Sequence, residues 1–136
     1  MIVVDRNVIV SAVVRGANTT DALAARARDN NWIAPPLLRS ELLNALSKYV
    51  SIAGSLDRDD AIHAFRRGSS LVSLESSGPD PVDILNLVIR SGITSYDAEF
   101  VALANERRMR LLTLDGKVLA AYPNVAVSLG DFVAGR

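Results

Sequence analysis

The sequence predicts an α/β fold: a central parallel sheet of four to five strands with helices on both faces. Short apolar runs, Ile2-Val3-Val4 and Leu111-Leu112-Thr113-Leu114 among them, alternate with longer stretches of helical period. Runs that are apolar at every position belong to strands buried on both faces, and such strands come mostly from parallel sheets. The chain length of 136 residues and the hydrophobic fraction of 49% suit one domain, residues 1–136, with a core of its own.

In chain order, Ile2 to Asp5 reads as a short buried strand and Asn7 to Val14 as a helix. Thr20 to Asn30, rich in alanine and arginine, is a helix with Thr20 or Thr19 as its cap. Trp32 to Ala34 is a strand stopped by Pro35-Pro36. Leu37 to Ala53 is a long amphipathic helix with Leu38, Leu42, Ala45, Leu46 and Tyr49 on one stripe. Asp57 caps a helix to Arg67, with Asp60 placed to reciprocate. Leu71 to Leu74 is a strand. Val82 to Ile89 is a helix ending near Gly92, and Ser95 to Arg108 another. Arg110 to Leu114 is a strand, Gly116 to Ala121 a short helix, and Val125 to Val127 the last strand.

Composition removes several kinds of chemistry. There is no cysteine and one histidine, His63. Disulfides, thiolate metal sites, cysteine nucleophiles and paired-histidine acid–base catalysis are thereby excluded. No apolar run approaches the roughly 20 residues of a membrane-spanning helix. The opening Met1-Ile2-Val3-Val4-Asp5 meets a carboxylate too early for a secretory leader, so a cytoplasmic location is expected. Formal net charge is zero, unlike domains that grip nucleic acid by bulk charge. The basic residues are nearly all arginine, Lys48 and Lys117 excepted, and arginine suits phosphate recognition. No glycine-rich phosphate loop is present.

Four acids stand out. Two apolar strands end in aspartate, at Asp5 and Asp115, and in an open α/β sheet the functional crevice lies beyond the carboxyl ends of the strands. Aspartate at a strand end also starts turns and caps helices. Glu41 shares the apolar stripe of its helix, where a carboxylate is costly unless something pairs with it. Asp97 precedes Phe100, Val101 and Ala104 at helical spacing and so faces inward, although Thr94-x-x-Asp97 also resembles a capping box. Glu99 lies about 200° further round that helix, in an outer or solvated position. Each acid has a structural explanation; together they have a chemical one. Acids crowded at one rim need cations, and hard oxygen donors without histidine or cysteine select Mg²⁺ or Mn²⁺. Such ions bridge a phosphodiester, acidify a bound water and stabilise the leaving oxygen.

The segments around these acids resemble the motifs of the PIN-domain family, with particular similarity to its VapC-type toxin ribonucleases. They are Val3-Val4-Asp5-Arg6-Asn7-Val8, Ala34 to Leu46 around Glu41, Gly92 to Ala104 around Asp97, and Leu111 to Leu119 around Asp115. They occur in the family's order and span residues 3 to 119. The resemblance implies a three-layer α/β/α fold and a Mg²⁺/Mn²⁺-dependent endoribonuclease that cleaves RNA by metal-activated water. Asp5, Glu41, Asp97 and Asp115 would be its catalytic and metal-binding acids. Asn7 would orient Asp5 and a water, Thr113 would support the cluster through its hydroxyl, and Glu99 would stand behind it. A homodimer and a cognate antitoxin protein are further implications.

Arg6 departs from the pattern, since a small or hydroxylated residue is usual between Asp5 and Asn7. Its guanidinium is expected to point away over the sheet edge. The alternatives are competition with a cation in the acid cluster and a phosphate clamp for RNA. Of the other features, His63, Arg66-Arg67 and Arg107-Arg108 read as solvated helix faces. Trp32 and Phe100 read as core rather than base-stacking platforms. The competing function is a PIN-like module that binds RNA or protein with weak or lost catalysis, which Arg6 favours. An aspartyl-phosphate phosphatase using Asp5 is disfavoured by Asn7, which stands where that chemistry wants a second aspartate.

Overall fold

A computed structural model describes residues 1–136. The elements are β1 (Ile2–Val4), α1 (Arg6–Val13), α2 (Thr19–Arg28), β2 (Trp32–Ala34), α3 (Leu38–Ser51), α4 (Arg58–Leu71), β3 (Val72–Leu74), α5 (Pro81–Ser91), α6 (Ser95–Arg107), β4 (Leu111–Thr113), α7 (Gly116–Ala121), β5 (Ala126–Ser128) and α8 (Leu129–Val133). The five strands form one sheet in the order β3-β2-β1-β4-β5, and every pairing is parallel. The predicted α/β fold with a parallel sheet is therefore the observed one. The strands are short, but β1, β2 and β4 are buried at every position, as their unbroken apolar runs require.

The order of strands fixes where a site can form. The chain steps from β1 outward to β2 and β3, then returns to pair β4 against the other side of β1. Right-handed crossovers put the helices of these two excursions on opposite faces of the sheet. The packing agrees: α1 packs on α2, α3 and α4, while α5 packs on α6. Between β1 and β4 the direction of winding reverses. The carboxyl ends of those strands, with no helix crossing between them, leave the crevice at which α/β proteins bind ligands.

The core that holds this crevice rigid includes Ile9 of α1, Trp32 of β2, Leu38 and Leu42 of α3, Phe100 of α6, and Leu111 and Leu112 of β4, all fully buried. Trp32 and Phe100 are core residues, as expected. On α3 the buried stripe is Leu38, Leu42 and Leu46, with Ala45 and Tyr49 packed at its margin. Asp57 caps α4 by accepting from the Asp60 amide at 2.8 Å, whereas Asp60 forms no reciprocal bond. α5 ends at Gly92, whose φ of 73° is the left-handed conformation that glycine adopts without steric cost.

Two expectations need correction. The cap position of α2 is Asn18, which makes no side-chain cap bond. The Thr19 hydroxyl instead accepts from the Gly16 amide and donates to the Val14 carbonyl, so it closes the preceding turn. The last strand is followed by a further short helix, α8, begun by Ser128 accepting from the Asp131 amide. No helix is long and apolar enough to cross a membrane.

Candidate active site

Asp5 follows β1 directly and is 4% exposed. One carboxylate oxygen, Oδ1, accepts from the Arg6 amide at 2.7 Å and so caps α1. The other, Oδ2, accepts from the Thr113 hydroxyl at 2.7 Å and from Asn7 Nδ2 at 3.2 Å. Burial pushes the Asp5 carboxyl up to about 6, against the lowering effect of the Thr113 and Arg6 hydrogen bonds. Asn7 and Thr113 also bind the two strand ends to one another. Asn7 Oδ1 accepts from the Leu114 amide at 3.2 Å, and Thr113 Oγ1 accepts from the Asp115 amide at 3.0 Å. Residues 108 positions apart thus tie the carboxyl ends of β1 and β4 together.

Asp115 follows β4 and caps α7. Its Oδ1 accepts from the amides of Lys117 and Val118. The capping explanation for this residue is thus correct, and it does not remove the residue from the cleft. A cleft of about 450 Å³ is lined by Arg6, Leu37, Ser40, Glu41, Asn44, Thr94, Tyr96, Asp97 and Asp115. Asp97 arrives in the first turn of α6, where its amide donates to the Thr94 hydroxyl at 3.1 Å. Burial raises its carboxyl above the usual range, and the charge of Asp115 adds to the effect. A further hollow of about 370 Å³ between α5 and α6, lined in part by Asp83, Asn86, Arg90 and Asn105, shares none of these residues.

Glu41 stands on the cleft side of α3, its side chain only 10% exposed. Its Oε2 accepts from Arg6 Nη1 at 2.5 Å, and its Oε1 is buried without any partner. Arg6 therefore does not point away over the sheet edge. It turns into the cleft, because a buried carboxylate there offers a counter-ion that solvent at the edge does not. Glu99 is also more involved than its helical angle suggested. It is half-buried, and its carboxyl is raised by burial and then by the charge of Glu41. Ser40, Asn44 and Tyr96 line the cleft and were not anticipated. Ser40 and Asn44 neighbour Glu41 at one and three residues along its helix, which was the available signal.

The set is acidic and all-oxygen, and a buried oxygen lacks a partner. In donor type and charge these residues fit a hard divalent cation. As the side chains stand, no three acids lie close enough together to share one ion. Gathering three donors around one ion requires side-chain movement.

Comparison with known proteins bears on the same residues. The sequence pattern of the PIN domain matches residues 2–124, which include β1, α3, α6 and β4. The chain belongs to the PIN-domain family. No curated protein sequence matches it significantly. Among solved structures, PAE2754 from Pyrobaculum aerophilum superposes with a TM-score of 0.78 at 19% identity, covering 98% of this chain and 86% of that one. A toxin–antitoxin complex from Klebsiella pneumoniae superposes with a TM-score of 0.65 at 19% identity, covering 95% and 98%. At such identity these likenesses concern the fold, and they extend it to this PIN domain over nearly its whole length.

Proposed function

We propose that this PIN domain is a Mg²⁺- or Mn²⁺-dependent endoribonuclease, cleaving RNA phosphodiester bonds with a metal-activated water, and that it is the toxin of a type II toxin–antitoxin pair of the VapC type. The observation that carries the reading is Glu41 Oε1, buried without a partner in a cleft that also receives Asp97 and Asp115. Membership of the PIN family supports nuclease chemistry. The fold shared with a toxin–antitoxin complex supports an antitoxin partner. The whole chain, 1–136, would act as one such domain in the cytoplasm.

In this reading Asp5, Glu41, Asp97 and Asp115 hold the cation. When bound, it supplies Lewis-acid polarisation of the phosphodiester and of the attacking water. The protein's own contributions are positional. Asn7 and Thr113 hold Asp5 in one rotamer, so its carboxylate is preorganised. Glu99 adds negative charge behind Glu41. Ser40, Asn44 and Tyr96 offer hydroxyls and an amide to the RNA entering the cleft. The exposed apolar residues Val82, Leu85 and Ile89 on one side of α5 provide a surface for the second copy of a homodimer.

The test is cleavage by the purified chain, free of antitoxin, with and without Mg²⁺ or Mn²⁺. Cleavage is expected to require the ion, to stop in EDTA, and to fall at least a hundredfold in Asp97→Asn, a loss of order 3 kcal/mol in transition-state stabilisation. Cleavage that persists in EDTA removes the metal mechanism. The Arg6–Glu41 ion pair favours a second reading, a PIN-like module that binds RNA or protein with weak or lost catalysis. RNA bound but uncut at saturating Mn²⁺ selects it.

A further inference from the structure

We propose that Arg6 is a built-in competitor of the divalent cation: it holds Glu41 until an incoming ion displaces it, and so sets the ion affinity of the cleft. The inference rests on reading the cleft as a cation site, and its basis is geometric.

Arg6 opens α1 immediately after Asp5. It crosses 35 residues of sequence to donate from Nη1 to Glu41 Oε2. A guanidinium can bind a carboxylate through two parallel hydrogen bonds. Here a single bond forms, and Oε1 is left buried and unpartnered. The charge of Glu41 is thus met at one oxygen only.

A cation reaching Glu41 would meet the guanidinium on the neighbouring oxygen, and two like charges at that distance in a part-buried site repel strongly. One of them leaves. Arg6 is the one able to do so. Its side chain is 43% exposed and lines the open cleft, so it can swing toward solvent without opening the core. Its neighbour Asn7 is held by Asp5, Thr113 and the Leu114 amide. Glu41 lies within the packed surface of α3. Binding of an ion therefore costs one ion pair and moves one long side chain. The pair also sets a positive charge beside Glu41, which lies near enough to the carboxylates of Asp5 and Glu99 to repel both, and so stabilises the ion-free protein.

The experiment is a Mn²⁺ titration by calorimetry on metal-stripped protein, without RNA, for the wild type, Arg6→Ala, Arg6→Lys and Glu41→Gln. Each variant is first checked for its fold by circular dichroism, and thermal midpoints are read with and without Mn²⁺. Arg6→Ala is expected to bind Mn²⁺ about tenfold more tightly, the equivalent of one lost competing ion pair. Its midpoint should lie below the wild type's without Mn²⁺ and rise further when Mn²⁺ is added. Arg6→Lys, which keeps charge and stem, should fall between and serves if the alanine variant does not fold. Glu41→Gln should lose the tight phase. Equal or weaker Mn²⁺ binding by both Arg6 variants overturns the inference and leaves the cation site standing. Unchanged binding by Glu41→Gln overturns it as well, since the competition is placed on Glu41. No Mn²⁺ binding by wild type and Arg6 variants alike removes the cation-site reading, and the inference with it.

Discussion

Asp5 is the residue at which β1 ends and α1 begins. Its carboxylate caps α1 and takes hydrogen bonds from Asn7 and Thr113, yet burial still raises it from 3.8 to about 6. A carboxyl raised in the folded state keeps its proton to higher pH than the unfolded chain does. Between about pH 3.8 and 6 the unfolded state loses the Asp5 proton first, so the contribution of this group to stability falls as pH rises through that window. In EDTA, urea unfolding of the wild type should lose of order 2 kcal/mol relative to Asp5→Asn from pH 4 to pH 6.5. Parallel profiles would show that the Asp5 carboxyl is not destabilised by its burial. Thr113 is the second test at this scale. Its hydroxyl donates to Asp5 and accepts from the Asp115 amide in a fully buried position. Thr113→Val leaves both groups short of a partner and should cost about 1–3 kcal/mol in denaturant unfolding. Thr113→Ser, which keeps the hydroxyl, should recover most of it.

The site depends on helices that deliver single residues to it, and their packing is close. α4 lies against α1 and α3 where Gly68 allows contact. A Cβ at Gly68 would stand 3.1 Å from Ile9 Cγ2 and 3.1 Å from Leu42 Cδ2. Both neighbours are fully buried and have little room to yield. Alanine in place of glycine adds about 1 kcal/mol of helix preference, whereas overpacking a tight core costs about 1–3 kcal/mol. Gly68→Ala is therefore expected to be net destabilising by about 1 kcal/mol, read as a lower urea midpoint. Stabilisation would mean that α1 and α3 separate freely, and so hold Arg6 and Glu41 less firmly than their packing indicates. Element boundaries were legible where a cap or a breaker marks them, as at Asp57, Pro35-Pro36 and Gly92. α8 was not predicted, because at five residues it is too short to show a hydrophobic period.

Across the whole molecule, charge balances to zero while the acids of the cleft are concentrated at one end of the sheet. RNA affinity is then expected to come from local contacts rather than from a basic surface. With Mn²⁺ saturating and Asp97→Asn used to prevent cleavage, log Kd should change with log salt by a slope of roughly 2 or less, about 0.7 per single-strand phosphate neutralised. A steep slope, near that of a protein covering six or more phosphates, would require a basic groove that this chain does not display in its composition.

Hydrophobic period and capping chemistry are local and act wherever the chain places them, so the α/β class, the parallel sheet and the succession of its main elements were readable from the residues. It also carried the four acids, since a strand's carboxyl end and a helix's inward face can be read from neighbouring residues. What those acids meet was set by how distant segments pack together. The pairing of Arg6 with Glu41, the closeness of Glu99 to Glu41, the unpartnered Oε1 and the raised Asp5 carboxyl depend on distances between residues that are 35 to 108 positions apart along the chain. Burial and charge act through space, and only the folded chain says which side chains share that space.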